Sequence, residues 1–341
     1  MQEASRTAIT LDYELYFGAN PGTVQRCLLD PTKALLRLAR RGGFKLVFFV
    51  DAGFVFRLGQ QSATSTEVRL QFDQVRRQLA DIVKGGHDIQ LHVHPHWEDS
   101  HWDGERWAMD THRYRIHDFA DADVKTIFSG YKRALSEASQ YADICAYRAG
   151  GWAVQPFSKI AVALRENGIF VDSSVMPGAH AADSSFGYDF RAAPTCGAWR
   201  FATDPNCEEP SGQFLEIPIA CVNVSPWTKL SSAISKRLGP KYHAIYGDGF
   251  AAHADSVGRS FGRLGRLFNW KPMPVMIDGF KAVLLERAYL EHMARRARTF
   301  VVIGHPKAIT PFALDCLEAF MSKHKPETYS YPQLRDGLAG V

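Results

Sequence analysis

Three histidines fall within five residues in HVHPH (92 to 96), and two carboxylates stand two residues apart in LDYE (11 to 14). Neutral imidazole suits zinc, nickel, cobalt or iron, and a nitrogen and carboxylate set that leaves one coordination position free serves catalysis rather than structure. In a strand, residues two apart project to the same side, about 6 to 7 Å from each other. Asp12 and Glu14 therefore project together. Two carboxylates so placed can divide labour, one binding a metal and the other taking a proton from the water that the metal activates. Taken alone, the pair fits equally a strand end facing solvent or capping a helix. If the chain stays extended, His92, His94 and His96 share one side, and Pro95 pushes residue 94 toward extended backbone. The cluster predicts that one or two of these imidazoles bind a divalent metal.

Two further polar groups follow apolar runs. Arg148 stands before Ala149, Gly150 and Gly151, where a guanidinium could hold a carboxylate ionised and a glycine N–H could approach a developing oxyanion. A plain salt bridge at a turn is the other reading of that arginine. His305, after VVIG, is placed to act as a proton donor to a leaving amine, or else only enters a helix before Pro306.

These groups must be positioned by something, and the apolar pattern says what. RTAITLDY, KLVFFV, HDIQLHV, ICAYRA, GIFVDSS and TFVVIG read as strands. Helical periodicity separates them over PTKALLRLARRGG, 66 to 84, 121 to 139, 155 to 166 and 281 to 297, with a last helix near 311 to 323. Strands alternating with helices imply a parallel sheet, and parallel strands deliver their C-terminal ends to one face. Regularity is lost at 97 to 118, 177 to 212 and 222 to 280. The first of these, rich in aromatic residues and histidine, and the second fit either the rim of a barrel mouth or packed surface loops.

At 341 residues, with 46% hydrophobic and 22% charged residues, the chain fits one globular domain over 1 to 341. Residues 222 to 280 form a basic insertion within it. Between 229 and 271, eight basic residues (Lys229, Lys236, Arg237, Lys241, Arg259, Arg263, Arg266, Lys271) face two acids, Asp248 and Asp255. On a helical wheel Arg259, Arg263 and Arg266 share a face, compatible with an anionic surface such as a membrane or a phosphate, or with an ordinary solvated face. A net charge of +4 does not imply nucleic acid, and no nucleic-acid-binding motif is present. The first 20 residues carry acids early and lack a continuous apolar stretch. Six cysteines are scattered without CxxC spacing. Both features lead to the expectation of a cytoplasmic protein.

The set TLDYE, GHDIQLHVHPH, YRAGGW, LEIPI and GHPK, in this order, resembles the motifs of NodB-type polysaccharide deacetylases, most closely the WbmS-like group linked to bacterial surface-polysaccharide synthesis. The resemblance spans roughly residues 6 to 310 and covers the basic insertion poorly. It implies an irregular seven-stranded β/α barrel with loop insertions, and removal of an acyl group from an amino sugar with one divalent metal, zinc first, with nickel, cobalt, manganese or iron as alternatives. By resemblance His92 and His96 are metal ligands with Glu14, and His94 lies behind them. Asp12 is the catalytic base, Arg148 its tether, Gly151 the oxyanion donor, Trp152 part of the sugar groove and His305 the general acid. The implied reaction is attack of a water, deprotonated by Asp12, on an amide carbonyl polarised by the metal and Gly151, then amine release with a proton from His305. Many relatives pair that histidine with the Asp of an Asp-Trp dipeptide. None occurs between VDSS and LEIPI, which leaves Asp172 or Glu216 as the candidate partners.

The expected substrate is an N-acylated amino sugar. Retention in the cytoplasm would make it a nucleotide-linked or lipid-linked precursor. Two other classes compete: a phosphoesterase or amidohydrolase whose dinuclear metal is bound by His92 and His94, and a catalytically silent glycan-binding protein.

Overall fold

The computed structural model describes residues 5–182, 187–195, 197–224, 235, 237–250 and 271–338. Its frame is a curled sheet of strands β1 (Arg6–Tyr13), β2 (Val47–Asp51), β3 (Asp88–Val93), β4 (Ala146–Ala149), β5 (Val171–Asp172), β6 (Trp199–Phe201), β7 (Phe214–Glu216) and β8 (Thr299–Gly304). The spatial order is β6-β7-β5-β4-β3-β2-β1-β8. Seven of these strands run parallel, and β6 joins β7 antiparallel at the edge. The sheet thus has eight strands rather than the seven expected. The extra strand is three residues long, too short to show a period in the sequence.

Helices α1 (Asp30–Gly42), α2 (Ala52–Gln61), α3 (Thr66–Lys84), α4 (Asp121–Ala138), α5 (Ser158–Glu166), α6 (Leu285–Ala294), α7 (Pro311–His324) and α8 (Tyr331–Gly337) complete the fold. β2 is buried throughout, as are all residues of β1 after Arg6, which explains their unbroken apolar runs. The 281–297 pattern resolves into a tight turn over Gly279–Leu284 followed by the shorter α6.

Among the described residues no regular strand bridges β8 and the far side of the sheet; single bonds from irregular chain do so. After β7, Ile217 N–H donates to Asp172 O and Ile219 N–H to Val175 O, and Ala220 N–H then donates across to Val301 O in β8. The chain next enters an antiparallel pair, Cys221–Val224 against Lys271–Pro274, which forms the neck of the insertion. Beyond the neck, Val275 O accepts from Ile303 N–H and Ile277 N–H donates to Ile303 O. That run delivers Asp278 beside the end of β8.

Arg259, Arg263 and Arg266 lie outside the described residues, as do Lys229 and Lys236. The described stretch 237–250 folds back over the C-terminal face of the sheet. Phe250 N–H donates to Asn20 O, Gly247 N–H to Lys307 O and Tyr246 N–H to Ile309 O. Among the described residues no helix is long and apolar enough to cross a membrane.

Candidate metal centre at the strand ends

Parallel register brings the strand ends together. His92 lies beside Asp51 on one side and Arg148 on the other, and Leu11 lies beside Gly304. Asp12 and Glu14 leave β1 on the same side and are almost fully buried.

Glu14 Oε2 lies 3.0 Å from His92 Nε2 and 2.8 Å from His94 Nε2, and these two ring nitrogens are 3.0 Å apart. Among the described residues this is the one group of three such donors with its ligand atoms converged. His92 Nδ1 lies 2.9 Å from Arg148 O; a carbonyl only accepts, so Nδ1 carries a proton and Nε2 is the nitrogen that can give a lone pair to a cation once its own proton has left. Tetrahedral zinc with bonds of about 2.0 to 2.1 Å sets its ligands roughly 3.3 Å apart, so an outward movement of a few tenths of an ångström would admit the ion. The donor set fits a divalent cation.

Here the structure brings together a different pair of imidazoles from the pair expected as ligands. His94, expected behind the metal, points into the cluster, whereas His96 does not. β3 stops at Val93, His94 is still extended (φ −112°, ψ 98°), and the chain then tightens into a turn over Pro95–Glu98. That turn breaks the two-residue alternation. His96 stacks on Tyr114 with centroids 5.7 Å apart, and both its ring nitrogens are buried without a hydrogen-bond partner among the described residues. Gly150 makes room for His94, since a Cβ there would come within 2.6 Å of His94 Nδ1 and 2.7 Å of Val93 O.

Asp12 is held on one oxygen and open on the other. Arg148 Nη1 donates to Asp12 Oδ1 at 2.6 Å and to Thr10 Oγ1 at 3.0 Å, while Nε donates to Ser173 O. Arg148 is fully buried, with its guanidinium 3.9 Å from the Phe49 ring centroid. Asp12 Oδ2 faces His92 Nε2 at 3.9 Å and His305 Nε2 at 3.8 Å. Gly151 turns through a left-handed conformation (φ 58°) directly after the arginine segment, and Trp152 beside it meets Tyr188 edge to face.

His305 has a partner that sequence reasoning missed. Asp278 Oδ2 lies 2.7 Å from His305 Nδ1, and Asp278 Oδ1 accepts the His305 backbone N–H at 2.8 Å. The two expected partners lie elsewhere: Asp172 and Glu216 stand side by side on β5 and β7, where burial raises both carboxyls and the neighbouring Asp172 raises Glu216 further, which favours a proton on the pair. Both are fully buried. Asp278 does carry a sequence signal, the short apolar run VMI before it, but one set inside a stretch read as irregular. Lys307, in GHPK, was also missed as a site residue. Its Nζ donates to Glu14 Oε1 at 2.9 Å and to Leu15 O at 2.6 Å.

The electrostatics follow from these contacts. Burial alone would raise the Glu14 carboxyl, but Lys307, His94 and His92 outweigh it and hold it well below the usual carboxylate range. Burial opposes charge on His92 too, yet Asp12, Glu14 and Asp51 raise it to about 9. His94 falls to about 4, burial being the main cause. Burial likewise works against a charged His305, but the Asp278 carboxylate reverses this, helped by Glu14 and Asp12, and its pKa is raised.

An α/β fold built on a curled eight-stranded half-barrel sheet, with a three-donor cluster at its strand ends, is thus the class that fold and site define. The chain is similar to a candidate polysaccharide deacetylase from Mycobacterium smegmatis, with 15% identity, a TM-score of 0.54, and coverage of 99% of this chain and 91% of that one. That likeness establishes the fold. Puue allantoinase (12% identity, TM-score 0.47, 96% and 87% covered) and the family 4 carbohydrate esterase from Streptomyces lividans (10% identity, TM-score 0.38, 95% and 91% covered) are also similar. No protein-family model and no curated protein matches the chain.

Proposed function

We propose that the protein is a metal-dependent deacetylase that hydrolyses the N-acyl group, acetyl or formyl, of an amino sugar. One observation carries the reading: Asp12 Oδ2 lies 3.9 Å from His92 Nε2 and 3.8 Å from His305 Nε2, so a proton acceptor, a metal donor set and a proton donor surround one point. A divalent cation bound by Glu14, His92 and His94 supplies Lewis-acid polarisation of the acyl oxygen and lowers the pKa of water.

The remaining work falls to the chain. Asp12, fixed through Oδ1 by Arg148, takes a proton from the attacking water on Oδ2. The N–H of Gly151 is assigned the developing oxyanion. His305, kept protonated by Asp278, gives its proton to the amine nitrogen as the C–N bond breaks. The water oxygen ends on the released acid, and the sugar leaves as an amine. Trp152 is assigned the sugar face.

The motif set further supports a WbmS-like role, with a surface polysaccharide or its nucleotide-linked or lipid-linked precursor as substrate and the basic insertion as the contact for phosphate or membrane. That the described residues hold a single three-donor cluster favours one metal over the dinuclear alternative built on His92 and His94. The test loads the protein with zinc or cobalt and offers N-acetyl and N-formyl amino sugars, free and nucleotide-linked, measuring acid and amine together. Equal release of both, abolished by Asp12→Asn, is expected. Two metal ions per chain with phosphoester cleavage and no acid release would overturn the reading.

A further inference from the structure

The two oxygens of Glu14 face different partners. Oε2 faces both imidazoles, at 3.0 and 2.8 Å, and Oε1 is held by the Lys307 ammonium at 2.9 Å. The ammonium is itself fixed. It donates to Leu15 O at 2.6 Å and lies 4.8 Å from the ring centroids of both Tyr16 and Phe17. The backbone of the same lysine is anchored too, because Lys307 O accepts from Gly247 N–H at 2.9 Å and from Tyr16 Oη at 3.3 Å. Gly247 permits that approach: a Cβ there would stand 2.7 Å from Lys307 O and 2.8 Å from the Tyr16 ring.

A carboxylate can offer a cation one oxygen or both. With both oxygens and two imidazoles engaged, a zinc-type ion would have four protein donor atoms and could take a water only as a fifth ligand, whereas a catalytic site keeps three protein ligands and one free position. From these contacts we infer that Lys307 is a positioning residue that restricts Glu14 to one-oxygen binding and so keeps a coordination position free. This rests on the metal reading of the Glu14–His92–His94 cluster. An ammonium at hydrogen-bonding distance opposes a second positive charge on Oε1 and keeps the carboxylate from rotating. Removing the ammonium frees Oε1 to turn onto the ion.

The test compares the cobalt(II) forms of the wild type, Lys307→Met and Lys307→Arg by visible absorption, together with zinc affinity. A cobalt ion with few ligands absorbs strongly in the visible and loses intensity as its coordination number rises. Lys307→Met is expected to lose about half of the band or more while binding zinc at least as tightly as the wild type, and Lys307→Arg, which keeps the cation, to retain most of it. Turnover in Lys307→Met should fall with little change in KM. If the methionine variant does not fold, Lys307→Gln, which can still donate to Leu15 O, is read in the same way. An unchanged band in a folded, neutral variant overturns the role of Lys307. A wild-type protein with no cobalt band overturns the metal reading and this role with it. A wild-type band without acid release from any amino sugar removes only the deacetylase assignment and leaves the Lys307 comparison standing.

Discussion

Asp278 holds His305 at two points, one carboxylate oxygen on the ring Nδ1 at 2.7 Å and the other on the backbone N–H at 2.8 Å. Such a double contact fixes both the tautomer and the direction of the ring, leaving Nε2 aimed at the space beside Asp12 and Glu14. Asp278→Asn keeps the shape but removes the charge that raises the His305 pKa. In the proposed reaction the imidazole must be protonated, so the alkaline limb of the pH–rate profile should move to lower pH. The turnover should fall by about 10²- to 10⁴-fold, the range of a general acid's contribution. A profile unchanged in position would show that His305 is not the acid.

The convergence of His94 rather than His96 on Glu14 and His92 sets up a direct comparison of ligands. His94→Ala should lose metal affinity by more than the 10- to 100-fold typical of an outer partner, and His96→Ala by no more than that. Equilibrium dialysis against a chelator of known affinity measures both. The opposite ranking would place the cation between His92 and His96.

Metal uptake should depend on pH. A cation displaces the proton that Asp12, Glu14 and Asp51 stabilise on His92, whose pKa is raised to about 9. Below that value affinity should rise by up to about tenfold per pH unit and level off above it. One proton released per ion bound, followed in weakly buffered solution, checks the same point.

Arg148 is buried against a carboxylate, and removal of one member of such a pair leaves an uncompensated charge. Arg148→Met should destabilise the fold by about 3 to 5 kcal/mol in urea titration. Arg148→Met with Asp12→Asn should recover much of that loss without recovering activity. Additive losses would show that the two side chains are not coupled.

Asp172 and Glu216 test the pH dependence of folding. Burial raises both carboxyls, Glu216 strongly, and so the folded pair keeps a proton that the unfolded chain releases near pH 4. Each pH unit above that point therefore weakens the fold, by at most about 1.4 kcal/mol, until the folded pair ionises. Glu216→Gln should flatten this slope. An equal slope in both proteins would mean that the pair holds no proton.

How much of this was legible beforehand depended on the length of each apolar run. Asp12, His92, Arg148 and His305 each follow four or more strand-forming residues, so their convergence could be read from parallel wiring. Asp278 follows only three, VMI, and sits after a long basic stretch, which hid it. The exchange of His94 for His96 turned on where β3 stops; Pro95 constrains the residue before it but does not fix the turn after it. Lys307 has no role legible in the sequence, because nothing local distinguishes a buried lysine from an exposed one. β6 had too few residues to show alternation.

The neck of the insertion carries a last consequence. Cys221–Val224 and Lys271–Pro274 zip together just before Ile277 and Asp278 settle beside β8. Whatever the chain does between those two strands, it enters and leaves through adjacent points. The chain beyond the neck can therefore change in length without moving Asp278, provided that residues 246 to 250 keep their bonds to Asn20, Lys307 and Ile309.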